Sequence, residues 1–356
     1  MRASFLTFAA SAAGAASPSS QPAKARLTTN IVGGMGNQLF LVANLLATAR
    51  RTGIPAYLEA APLSSSAGPP RPTYWDSLFR DLDQHGVHMC TPAQQLPQMP
   101  IVTVPEMRPV RKVQLDAQQA SVFNMIGFFQ SLAFFDDHPV ISSVIPPAFW
   151  SAAREHLNVH YGGGLCHTVA LHVRRGDYTQ FPDIFVQLDV VEYYDAAVQQ
   201  LLGGLVLHRP PLPPRQQQSS ADLTPLSTAH TPQPPSLHLL VFCDEERFGR
   251  TVVGYFRTKY KNAVMVSLVC AATEASGEPA KTSASPSSAS MMPRDVLELL
   301  MMSQCNDVVM ANSTFSWWGA YLNHVPLRRV IAPSKWFVKD PYPASNHLYC
   351  PGWMLI

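Results

Sequence analysis

The sequence predicts an α/β protein in which two doubly wound layers face a central cleft. Three observations predict it. Apolar runs of strand length recur in both halves, at residues 27–32, 54–58, 168–173, 237–242 and 264–269. Segments with helical spacing lie between them, as in 38–51, where Leu39, Ala43, Leu46 and Ala47 share one face. Glycines, arginines and hydroxyl residues follow directly after strand-like runs, where ligands sit in open parallel sheets.

The elements follow in order. Residues 1–30 hold Arg2, Lys24 and Arg26 among many Ala and Ser, and the first acid is Glu59. A basic, acid-free leader fits a mitochondrial transit segment, with a secretory signal leading to the Golgi lumen, or an unprocessed cytosolic tail, as the alternatives. In each case this stretch is expected to lie outside the fold. Residues 27–32, the turn 33–36, the helix 38–51 and the strand 54–58 make a βαβ opening. Residues 62–109 read as irregular, and 122–135 as an aromatic-rich segment. The second half opens with the strand 168–173, followed by helical spacing over 191–202 and strands at 237–242 and 264–269. A helix at 295–305, a short strand at 307–310, a helix at 313–322 and a last strand at 330–332 complete it. Two inserts, 208–236 and 271–292, are rich in Pro, Gln, Ser, Thr and Ala; they bury too little apolar area to offset ordering entropy and are expected to be disordered. The expected domains are therefore 31–160 and 161–356.

Composition narrows the function. The 356 residues carry 26 basic and 24 acidic side chains, a formal charge of +2, which argues against a broad nucleic-acid-binding face. No window approaches the roughly 18 uninterrupted apolar residues of a transmembrane helix. The six cysteines (Cys90, Cys166, Cys243, Cys270, Cys305, Cys350) form no CxxC pair and no zinc-spaced cluster, so free thiols and no metal site are expected.

Three segments are unlike core sequence. Gly33, Gly34, Gly36, Asn37 and Gln38 follow a strand and open a helix, a place for close backbone approach and amide donors. The segment lacks the Gly-Lys-Ser/Thr of a Walker loop and the third glycine of a dinucleotide fingerprint, and a plain tight turn also accounts for it. His172, Arg174, Arg175 and Asp177 stand at the end of a buried strand. Adjacent arginines there suit a phosphate dianion, although an Arg–Asp structural pair is the alternative. Asn312, Ser313, Thr314 and Ser316 sit where a strand runs into a helix, offering N–H and O–H groups to an anion, with Trp317 and Trp318 as packing anchors.

The motifs GGMGNQLF, HVRRGDY, DVLELLMMSQC with ANSTFSWWG, and PSKW occur in this order from about Ile31 to Trp336, and Gly127–Ser131 looks like an aromatic GYFQS segment. Together they resemble the inverting α-1,2-fucosyltransferases, glycosyltransferase family 11. The departures are Met35 for the usual leucine, Leu41 where glutamine commonly follows, and the two inserts.

The resemblance implies a GT-B-like fold, with an acceptor-side first domain and a second domain that binds GDP-β-L-fucose. It implies Arg174 on the β-phosphate and His172 and Asp295 at the guanosine end. Ser313, Thr314 and Ser316 would serve the pyrophosphate, with Arg175 and Asn312 among the donor-binding set, while Gly33–Gln38 close the cleft. The implied reaction is transfer of fucose to the 2-hydroxyl of a terminal β-galactoside with inversion. GDP-fucose is a co-substrate there, and no cofactor or metal is required. Arg174 and Asp177 are the expected catalytic residues; Asp177 could orient an arginine or accept a proton. The alternatives are another GDP-sugar transferase, a catalytically dead nucleotide-sugar-binding module, and, on the glycine loop alone, a nucleotide-dependent oxidoreductase.

Overall fold

The computed structural model describes residues 25–59, 71–90, 99–107, 110–137, 141–162, 164, 166–207, 237–269, 292–339 and 347–356. The first half contains β1 (Arg26–Thr29), α1 (Met35–Thr52), β2 (Ala56–Glu59), β3 (Val87–Cys90), β4 (Ile101–Pro105), β5 (Val122–Ile126), α2 (Ile141–Val144) and α3 (Pro147–Tyr161). The second contains β6 (His167–Val173), α4 (Ala196–Leu207), β7 (Leu237–Cys243), α5 (Glu246–Tyr260), β8 (Val264–Leu268), α6 (Arg294–Met302), β9 (Asp307–Val309), α7 (Thr314–Tyr321), β10 (Arg329–Ala332) and β11 (Met354–Leu355).

Each half has one sheet, and every pairing is parallel. The first runs β3-β2-β1-β5-β4 and the second β11-β10-β9-β6-β7-β8. Strands covered on both faces read as continuous apolar runs, which is why LHLLVFC and HTVALHV are buried along nearly their whole length. This is the α/β architecture the sequence predicts: two Rossmann-type halves about a cleft, as a GT-B-like fold implies.

Several expectations need correction. The fold begins before residue 31: Leu27 is fully buried between β2 and β5, so Arg26–Thr29 belong to the first sheet rather than to a leader. The stretch 62–109 is not wholly irregular, since β3 and β4 form the two edges of the first sheet. Edge strands this short carry little alternation for a sequence reading to detect. Residues 1–24 and 208–236, and all of 271–292 but Met292, lie outside the described residues.

The halves share a core. Phe40 of α1 packs on Trp317 and Trp318 of α7 at 4.5 and 5.0 Å between ring centres, and Phe135 stacks on Trp318 at 5.7 Å. Both tryptophans are fully buried, as anchors should be. Trp318 Nε1 donates to the Gly36 carbonyl at 2.9 Å, and Trp317 Nε1 donates to the Leu348 carbonyl. Among the described residues no helix is long and apolar enough to cross a membrane, and the five described cysteines are free thiols.

Candidate active site

Chain order within each sheet reverses at one place. In the second sheet β6 leads through β7 to β8 on one side, while β9, β10 and β11 extend on the other. The loops after β6 and β9 therefore diverge and leave a crevice at the strands' C-terminal ends. In the first sheet the same happens between β1 and β5. A cavity of about 1040 Å³ is walled by residues from these four loops, among them Asn37, Gln130, Arg174 and Thr314.

Arg174 extends from the end of β6. Its guanidinium contacts Asp177 Oδ1 at 2.5 Å and Asp244 Oδ2 at 2.8 Å, and lies 5.1 Å over the Tyr178 ring. Asp244 directly follows β7 and also accepts the Arg175 N–H at 2.8 Å, with Gly176 leaving room for its carboxylate. Asp177 Oδ2 is taken by Arg71 of the first half at 2.8 Å. Both oxygens of Asp177 thus hold guanidinium groups, which makes it an arginine-orienting residue in this geometry. His172, also on the wall, is buried beside Phe315. Burial, and after it the charge of Arg174, pushes its pKa down to about 3, so the imidazole is neutral at ordinary pH.

The wall from the other side of the crevice is the N-terminus of α7. Ser313 caps the helix, its Oγ accepting the Phe315 N–H at 3.3 Å. Thr314 Oγ1 donates to Asn37 Oδ1 at 2.9 Å, and Gln130 Nε2 donates to the same oxygen at 3.0 Å. Asn37 therefore joins three of the four loops. Gly36 is required here because a Cβ would meet the Thr314 backbone. This glycine serves helix packing, which removes the observation that suggested a dinucleotide fingerprint.

The cavity brings together Gly33, Gly34, Gly36, Asn37, His172, Arg174, Asp177, Asp295, Ser313 and Thr314. Four expected residues lie off its wall. Gln38 is fully buried and donates to the Gly33 and Pro72 carbonyls, bracing the loop from behind. Arg175 turns away because the Phe248 ring takes its guanidinium at 4.3 Å. Asn312 donates to the carbonyls of Val186 and Trp336, at 3.0 and 2.9 Å, and straps two loops together. The Ser316 hydroxyl donates back to the carbonyls of Ala311 and Ser313.

Sequence reading missed several wall residues. Asp244 had a signal, an acid at the end of a buried strand. Arg71 and Tyr74 had none, since they precede no recognisable element and reach the site only through the fold. Tyr74 donates to Asp295 Oδ2, and burial together with that carboxylate holds the phenol protonated. Glu298, one turn beyond Asp295 on α6, is also on the wall and ion-paired to Arg294 at 2.7 Å.

Residues 233–356 match the family model "Glycosyl transferase family 11". Two relatives from Escherichia coli match short segments. The O-antigen biosynthesis glycosyltransferase WbnK is 46% identical over 41 residues, 12% of this chain and 14% of that one. An Alpha-1,2-colitosyltransferase is 41% identical over 44 residues, 12% and 15% of the two chains. The chain thus aligns with about one seventh of the length of these curated relatives. Among solved structures it is similar to fucosyltransferase NodZ from Bradyrhizobium, with a TM-score of 0.38 and 12% identity, covering 84% of this chain and 93% of that one. It is also similar to POFUT1 in complex with GDP, with a TM-score of 0.47 and 10% identity, covering 88% and 98%. The family match over residues 233–356, which contains ANSTFSWWG and PSKW but begins after HVRRGDY, bears out the resemblance to glycosyl transferase family 11 over that part of the chain.

Proposed function

We propose that this protein transfers fucose from GDP-β-L-fucose to the 2-hydroxyl of a terminal β-galactoside with inversion. The observation that carries the reading is the meeting of Arg174 and the α7 N-terminus in one cavity, across the point where the second sheet reverses its chain order.

The diphosphate lies between Arg174 and the Ser313–Thr314 end of α7, where a guanidinium and the positive end of a helix face an anion. Asp177 and Asp244 fix the guanidinium from behind. Its Nε has no partner among the described residues. The bond from fucose C1 to the β-phosphate oxygen breaks as the galactoside 2-oxygen attacks the opposite face of C1. Positive charge develops on the sugar, as in other glycosyl transfer, and negative charge on the departing phosphate. Fixed donors aimed at that charge supply the stabilisation. The acceptor hydroxyl's proton passes to solvent water after the attack, GDP leaving as the other product, and Asp177, held by two arginines, is not its receiver. Neutral His172 and Asp295 serve the guanosine end.

The test is product analysis after incubation with GDP-fucose and lactose in EDTA. The expected result is an α-1,2-fucosylated product at full rate. Strict dependence on Mn²⁺ overturns the metal-free mechanism. Transfer from another GDP-sugar but not from GDP-fucose replaces the donor, and GDP binding without transfer leaves a binding module. For compartment, we propose that residues 1–24 form a mitochondrial address; a reporter fusion that reaches the endoplasmic reticulum overturns this.

A further inference from the structure

The loop after β5 is held in an unfavourable shape. Gly127 has φ +146°, and a Cβ there would fall 2.4 Å from Glu106 Cβ. Phe129 has φ 51°, a left-handed conformation that aromatic residues rarely adopt. Strain of this kind persists only where the surroundings over-determine it, and it concentrates at ligand sites.

The surroundings do over-determine it. Glu106, following β4, accepts the N–H groups of both Phe128 and Phe129 on Oε2, each at 2.8 Å. Gln130 is tied to Asn37, and Ser131 caps the next turn by accepting the Ala133 N–H. The outcome is a division of two adjacent rings. Phe129 enters the core, 4% exposed and edge-on to Phe134 at 5.1 Å. Phe128 is turned outward, 44% exposed, onto the cavity wall.

It has company there. Ile126 and Phe181 also line the cavity and are 47% and 48% exposed. Phe181 comes from the second half, Ile126 and Phe128 from the first. The cavity wall therefore has two chemistries. Arg174, Ser313 and Thr314 suit a diphosphate, whereas three half-exposed apolar side chains suit an uncharged ligand with a C–H face. Apolar walls with a few polar groups are the usual make-up of a ligand pocket, and an aromatic ring is a rigid flat surface for such a face.

We propose that Phe128, turned into the cavity by the Glu106-clamped loop, is the platform on which the C–H face of the acceptor pyranose stacks, with Phe181 adding a second ring. The proposal rests on the transfer reading and names the acceptor side of that site. Glu106 is then a positioning residue that acts through Phe128.

Steady-state kinetics with GDP-fucose and lactose test it, together with calorimetric titration of lactose into the GDP-saturated protein. Phe128→Ala raises the lactose KM and weakens its binding by roughly tenfold, leaves the GDP dissociation constant unchanged, and keeps the melting temperature because the ring is exposed. Phe128→Tyr, which retains the ring, restores the lactose KM. Glu106→Ala reproduces the acceptor defect with donor KM unchanged. An unchanged lactose KM in Phe128→Ala, or an equal rise in the donor KM, overturns the proposal while leaving fucosyl transfer standing. A wild-type protein that binds lactose through Phe128 but transfers nothing overturns the transfer reading alone, and one that neither binds nor transfers overturns both.

Discussion

Gly36 lies directly against Thr314: a Cβ on Gly36 would fall 2.4 Å from the Thr314 carbonyl carbon and 2.6 Å from its oxygen. Helices α1 and α7 therefore meet backbone to backbone, and the contact sets how the glycine loop faces the hydroxyl-rich helix end. Trp318 Nε1 bonds the Gly36 carbonyl beside it, and Thr314 Oγ1 bonds Asn37.

Gly36→Ala is accordingly expected to push α1 off α7. Inserting a methyl group into a packed contact costs about 1–3 kcal/mol. Thermal melts should show the loss of stability. Transfer assayed well below the new melting point should remain depressed, because the loop and the helix end no longer share one cavity wall.

Arg174→Lys keeps a charge but loses the fork that bridges Asp177 and Asp244. Transfer is expected to fall on the order of 10²–10³-fold, with the melting temperature little changed. Asp244→Asn leaves Arg174 in place but less firmly aimed, and a drop of up to about 10²-fold is expected. Single-turnover rates, with GDP affinity measured separately, check both.

His172 makes the protein's stability sensitive to acid. Unfolded, its imidazole takes a proton near the ordinary 6.5; folded, burial and Arg174 delay this to about 3. Between those values the unfolded chain holds the extra proton, so this contribution is fully present above pH 6.5 and is lost as pH falls toward 3. The slope is about 1.4 kcal/mol per pH unit for one such group. Urea unfolding from pH 7 to pH 4 should show it, and His172→Gln should flatten the curve. Burial also lowers His238, so a shallower slope of the same sign should remain.

A separate cluster fixes the opposite end of the second sheet. Buried Asp307 accepts from His167 at 2.6 Å and from Arg329 through both the side chain and the backbone N–H. Burial alone would raise this carboxyl, but those bonds win and hold it below the ordinary range. Arg329→Ala removes the guanidinium from buried Asp307, leaving His167 to hold it, and should destabilise the protein by up to about 3–5 kcal/mol. None of the three residues lines the cavity, so activity in the folded fraction should be retained at low temperature. Denaturant titration with parallel assays separates the two effects.

Much of this was legible along the chain. Parallel strands buried on both faces read as apolar runs, so β6 and β7 were clear from sequence, as were α1 and α7 with their neighbouring motifs. The motifs at strand ends gave Arg174, Asp177, Ser313 and Thr314 because a ligand in a parallel sheet sits where strands end. The short edge strands β3 and β4 were not legible, since a few residues with one covered face carry little periodicity. Residue type also could not separate Arg174 from Arg175. Two adjacent side chains on one strand end leave in different directions, and the Phe248 ring claimed the second.

The sequence by itself determined that two α/β layers exist and that an anion-binding strand end and helix tip belong to them, because patterning and local donors are properties of short segments. Only the tertiary structure decided which of those groups share a cavity. Bringing Arg71, Tyr74 and Glu106 from the first half toward Asp177, Asp295 and Phe128 depends on how strands far apart in the chain pair and where two helices touch. The pairing of β4 with β5 sets the Glu106 contact, and the close fit of Gly36 on Thr314 with the buried tryptophans beneath it sets the approach of the two halves; no local pattern encodes either.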